Sequence, residues 1–107
     1  LAEALSAEGY DVCTVQQASE TTEKLRQEHP SLIIVCGAAA SEACSALRRV
    51  TSVPILALLP QPTDLDVLNA LEAGADDCQD ASIGTSETIL RARALLRRGS
   101  PVALPSK

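Results

Sequence analysis

Chemistry in this chain has to come from few side chains: four cysteines, one histidine and 14 carboxylates. Cys36 has the most suggestive place. It follows Leu32, Ile33, Ile34 and Val35, an apolar run bounded by Pro30 and Gly37. A β-branched run between such breakers reads as a buried strand. In open α/β sheets, ligands and chemistry sit just past the carboxyl ends of the strands. A thiol there becomes a nucleophile or redox group only when a histidine, a cation or a helix N-terminus lowers its pKa. The nearest histidine in sequence, His29, falls at the opposite end of the same strand, and the neighbours Gly37, Ala38, Ala39 and Ala40 carry no charge. Cys36 is therefore expected to be a small buried hydrophobe. Cys13, Cys36, Cys44 and Cys78 match no zinc spacing, and His29 is adjacent to none of them, so neither a metal nor a cofactor is expected. Reduced thiols in a cytoplasmic protein are the expected state, with disulfides left open.

The bulk properties narrow the class. A chain of 107 residues is one domain's worth, and 46% hydrophobic residues exclude a disordered chain. Tyr10 is the sole aromatic residue, so no platform for stacking nucleobases exists. The net charge of −5 argues against direct nucleic-acid binding by this segment. No apolar run is long enough to suggest a membrane span, and no signal peptide is evident.

The elements that would position Cys36 alternate. Helices are expected at 1–7, 18–29, 41–50, 63–74 and 85–99, with Ser19 and Thr63 as candidate N-caps and Gly9 and Gly74 as stops. In the third helix Ala43, Ala46 and Leu47 are expected to face inward. Strands are expected at about 10–15, 31–36, 53–59 and 76–79. Strict alternation of buried strands and helices implies a parallel sheet covered on both faces. Residues 99–107 contain two prolines and no periodicity, and read as linker or tail.

Five strings, "EGYDV", "HPSLIIV", "SVPILAL", "LEAGADD" and "RARALLRR", occur in register over residues 1–98. Together they resemble the receiver domain of two-component response regulators. The resemblance implies a flavodoxin-like, doubly wound parallel sheet of strand order 2-1-3-4-5. It implies Mg²⁺ chemistry built on two acids after a first strand, an aspartate ending the third, a hydroxyl ending the fourth and a lysine ending the fifth. This chain departs at each position it contains. The phosphoacceptor position is Cys36, the hydroxyl position Leu59, the lysine position Ala81 followed by Ser82, and the switch-aromatic position Cys78. No aspartate occurs between Val12 and Thr63, so no register slip restores the acceptor. No lysine or arginine occurs between Val50 and Leu90, where seven acids do, and a phosphoryl group needs cations beside it.

The first strand of the family topology is expected to be absent from this chain, through truncation or a swap with another chain. Its loss from a central position would leave two edges unpaired in the core. The functional expectation is a degenerate receiver, a non-catalytic module that binds a protein partner or a second copy through the helices at 63–74 and 85–99. Asp76, Asp77, Arg91 and Arg93 are the candidate interaction face. The first three occupy positions resembling the salt-bridged dimer contacts of winged-helix regulators, with Val67 where those carry a basic residue. An effector domain outside this chain is a further expected partner. The alternatives are a phosphoryl-accepting receiver and a thiol-dependent enzyme or small-ligand site at Cys36.

Overall fold

The computed structural model describes residues 7, 9–16 and 30–99. The helices expected at 1–7 and 18–29, and the tail after 99, lie outside the described residues. The elements in chain order are β1 (Val12–Val15), β2 (Leu32–Cys36), α1 (Ala40–Arg48), β3 (Ile55–Leu59), α2 (Asp64–Ala73), β4 (Asp77–Asp80) and α3 (Thr85–Gly99). Each strand begins one or two residues later than its pattern suggests. Pro54 accounts for β3: it has no N–H for the ladder, and its carbonyl accepts from Ile33 N–H at 3.0 Å, so the strand proper starts at Ile55.

All three strand pairs are parallel, in the order β1-β2-β3-β4. The vacancy expected between β1 and β2 is not there. Val12 to Val15 pair directly with Leu32 to Val35, and Asp11 carbonyl accepts from Ser31 N–H at 2.7 Å. Backbone groups in a buried sheet must find partners, and β1 meets that demand by closing onto β2.

Strand alternation divides the core in two. On one face Cys13, Val15, Ile33, Val35, Ile55, Ala57 and Leu59 meet Ala40, Ala43, Cys44 and Leu47 of α1 and Ala70 of α2. On the other, Leu32, Ile34 and Leu56 meet Ala92, Leu95 and Leu96 of α3. The sheet therefore carries helices on both faces, as alternation implied. Within α1, Cys44 is fully buried and Ala46 only half-buried; the buried stripe runs 40, 43, 44, 47, one position round from the expected one. Thr63 caps α2 through a reciprocal pair: its hydroxyl accepts from Asp66 N–H at 3.1 Å, and Asp66 carboxylate accepts from Thr63 N–H at 2.9 Å.

The loops at the amino edge of the sheet are tied by one side chain. Arg48, at the end of α1, donates to the carbonyls of Gly74, Thr51 and Val53 at 2.8–3.1 Å and to the Asp76 carboxylate at 2.9 Å. The same Asp76 oxygen accepts Ile55 N–H at 2.8 Å, and Asp76 N–H returns a bond to Ile55 carbonyl at 2.8 Å. Gly74 is required twice over. Its φ is +126°, and a Cβ would lie 2.9 Å from Cβ of Arg48.

Two stability outcomes follow. Arg48→Met removes the donors and leaves half-buried carbonyls unmet, so it should cost about 2–3 kcal/mol, read as a lower urea midpoint with unchanged slope. Burial pushes the Cys44 thiol from its ordinary value of 9.0 up to about 11, against a smaller lowering by Arg48. Between those values the unfolded chain has released the proton and the folded one has not. Stability should therefore hold below pH 9 and fall as pH rises through about 11. Cys44→Ala should flatten that alkaline limb in urea titrations.

Candidate functional site

The ends of β2, β3 and β4 lie side by side at the carboxyl edge of the sheet. Cys36 is opposite Leu58, and Leu59 is opposite Asp80. Gly37 N–H donates to Leu58 carbonyl at 3.1 Å, and Ala81 N–H to Leu59 carbonyl at 2.7 Å. Cys36, Leu59 and Ala81 thus occupy adjacent strand ends. Their side chains diverge, however. Cys36 packs on the α3 side of the sheet with Leu58, whereas Leu59 is buried on the side of α1 and α2. Ala81 is exposed.

The chemistry available at this edge is small. Burial raises the Cys36 thiol above its ordinary value, the opposite of activation. The neighbouring carboxylate, Asp80, is turned onto Ser82, accepting from its N–H at 2.9 Å and its hydroxyl at 2.8 Å. Those bonds hold the Asp80 carboxyl below the usual carboxylate range. A shallow cleft beside Leu59 is lined by Ala38, Ser41, Pro60, Asp66 and Asn69. It contains no cation, and Asp66 already serves the α2 cap. A Mg²⁺ ion, which the resemblance implies, needs several oxygen ligands converging on one point. Among the described residues no group of three or more His, Cys, Asp or Glu side chains could hold a metal. A thiol with a raised pKa, a leucine and an alanine do not fit such an ion.

Cys78 lies half-buried in β4 against the core beneath α1 and α2. Burial raises its thiol, with smaller contributions from Asp77 and Asp66. The resemblance to winged-helix regulator contacts grouped Asp76 with Asp77, yet the two point apart. Asp77 faces α3, where its carboxylate takes a bond from Arg91 at 3.3 Å. Asp76 belongs to the Arg48 cluster on the other face and not to the Arg91 network. Alternation along an extended segment explains the split. Arg91 is shared with Glu87, one turn earlier at 3.2 Å, a partner readable from the i, i+4 spacing but missed. Both acids raise the Arg91 pKa. Arg93 is half-buried on α3.

Gln79 was also missed. It lies opposite Leu58 and is only 3% exposed, and both its amide oxygen and nitrogen lack a hydrogen-bond partner. A buried amide in that state is costly. No pattern in "DDCQD" announces it, because a glutamine in a short acidic strand reads as solvent-facing.

No family model matches the chain. Among known proteins it is 33% identical over 99 residues to the transcriptional regulatory protein AfsQ1 of Streptomyces coelicolor, covering 89% of this chain and 44% of that one. It is 31% identical over 99 residues to the transcriptional regulatory protein CpxR homolog of Haemophilus influenzae, covering 90% and 44%. The chain thus spans less than half the length of these relatives. A two-component response regulator from Clostridium difficile superposes with a TM-score of 0.74 at 24% identity, covering 88% of this chain and 81% of that one. HP1043, an orphan response regulator of Helicobacter pylori, gives 0.74 at 20% identity, covering 89% and 82%. The BeF3-activated DrrB receiver domain gives 0.68 at 18% identity, covering 83% and 98%. The structures share the fold, and the sequence relatives align over about nine-tenths of this chain: the chain is similar to response regulators and has the flavodoxin-like fold of their receiver domains.

Proposed function

We propose that this receiver is degenerate: a non-enzymatic signalling module that binds a protein partner or a second copy without taking up a phosphoryl group. The observation that supports it is the carboxyl edge of the sheet. The three strand ends there present Cys36, Leu59 and Ala81, which offer no carboxylate, hydroxyl or ammonium group. Phosphoryl transfer is catalysed by positioning and charge stabilisation, and neither has a source at this edge. The thiol alternative is disfavoured at the same edge, since Cys36 is half-buried and its burial raises the thiol pKa.

Without those groups, phosphate cannot bias one conformation over another, because a ligand shifts an equilibrium only through differential affinity. Signalling then rests on partner or protein concentration. The proposed binding surface is formed by α2, β4 and α3, with Asp77, Arg91 and Arg93 on its α3 side. The printed names of the sequence relatives, transcriptional regulatory proteins, fit an effector domain beyond this segment as the ultimate reader. A cytoplasmic location goes with that role. Among the described residues no helix is long and apolar enough to cross a membrane.

Binding separates the surface from the strand ends. The double variant Arg91→Glu, Arg93→Glu places like charges beside Glu87 and Asp77 and should weaken partner binding or self-association roughly ten-fold or more. Cys36→Ala should leave it unchanged. Sedimentation and pull-down on both variants measure this. Loss of binding in Cys36→Ala with retention in the arginine variant would move the site to the strand ends.

A further inference from the structure

The helix α2 is turned inside out. Of its ten residues only Ala70 is fully buried. Leu65, Leu68 and Leu71 are 62%, 51% and 42% exposed. A surface helix normally sets its leucines against the core. Here they are spaced three residues apart on the outer face. Asp64 and Glu72, both exposed, stand four residues either side of Leu68 and share that face. The surroundings add no positive charge from nearby sequence, since no lysine or arginine occurs between Val50 and Leu90.

An apolar stripe flanked by acids has a definite complement: apolar residues flanked by bases. We infer that the outer face of α2 seats a cationic amphipathic helix of a partner protein, with the leucines meeting its apolar stripe and Asp64 and Glu72 meeting its lysines or arginines. The inference rests on the partner-binding reading and adds the partner's chemistry. A second copy fits less well. Packing α2 on α2 across a two-fold axis would set the acids of one copy against the same acids of the other. Packing α2 on α3 would rely mainly on Arg97 among the described residues, since Arg91 is held by Asp77 and Glu87 of its own chain and Arg93 is half-buried. Helix-in-groove recognition uses anchors at this spacing, and so small a stripe suits a transient contact.

The probe is a designed fluorescent helical peptide with leucines at i, i+3, i+4 and i+7 flanked by lysines, compared with the same peptide flanked by glutamates. Both are titrated with the full chain and followed by anisotropy. The lysine peptide should bind at least about ten-fold more tightly than the glutamate peptide. Leu65→Gln with Leu68→Gln should reduce its affinity about ten-fold or more. Both positions are exposed, so folding should be retained and is checked by circular dichroism. Asp64→Asn with Glu72→Gln should weaken binding a few-fold and flatten its salt dependence. Equal binding of the two peptides, or indifference to the leucine substitutions, overturns the inference. Concentration-dependent dimerisation lost in the leucine variant, with no peptide binding, assigns the face to a second copy. That result would overturn this inference and leave the partner-binding reading standing. If no binding or self-association responds to changes on α2 or α3, both fail.

Discussion

The guanidinium of Arg48 fixes the relation between the two halves of this sheet. It gathers the carbonyls of Thr51, Val53 and Gly74 and the carboxylate of Asp76 around one planar group. The loop entering β3 and the loop entering β4 are thereby tied at the amino edge, and Asp76 closes the link by bonding Ile55 N–H. Parallel strands have no hairpin to set their register. Here a side chain at the end of α1 does it, and the register puts Leu59 opposite Asp80 at the far edge. Whatever the carboxyl edge presents is set by this clamp about one strand length away.

That scaffold keeps the parallel, doubly wound layering of receiver domains with β1 closed onto β2, yet the groups it delivers to the carboxyl edge are chemically quiet. Burial raises the thiol pKa of Cys36, Leu59 fills the core, and Asp80 is engaged by Ser82. Polarity has moved elsewhere. The charged network lies between β4 and α3, where Arg91 bridges Asp77 and Glu87. Among the described residues, exposed leucines cluster on α2 at Leu65, Leu68 and Leu71, with Leu90 of α3 and Val50 standing singly. This distribution, quiet strand ends and a featured helical face, is what supports the contact role proposed for the domain.

Much of this was legible in the residues. Leu32–Val35, Ile55–Leu59 and the Thr63 and Gly74 punctuation place β2, β3 and α2 because burial and capping are local properties. The three strand ends could be aligned from sequence, but not their side-chain directions, since one step of pleat separates Cys36 from Leu59. The direct pairing of β1 with β2 was not legible, because pairing is decided by which backbone finds which. Nothing in the sequence singles out Arg48, whose partners Gly74 and Asp76 lie 26 and 28 residues away. Asp76 and Asp77 looked like a pair until alternation parted them. The burial of Gln79 depends on what α3 covers, which the string itself does not encode.

Intact-mass spectrometry tests without intermediaries the proposal that this receiver takes up no phosphoryl group. The full chain is incubated with acetyl phosphate and Mg²⁺ and its mass compared with that of the untreated protein. No change in mass is expected. A gain of one acid-labile phosphoryl group would contradict it, showing that an acceptor exists in the chain despite the cysteine at the end of β2.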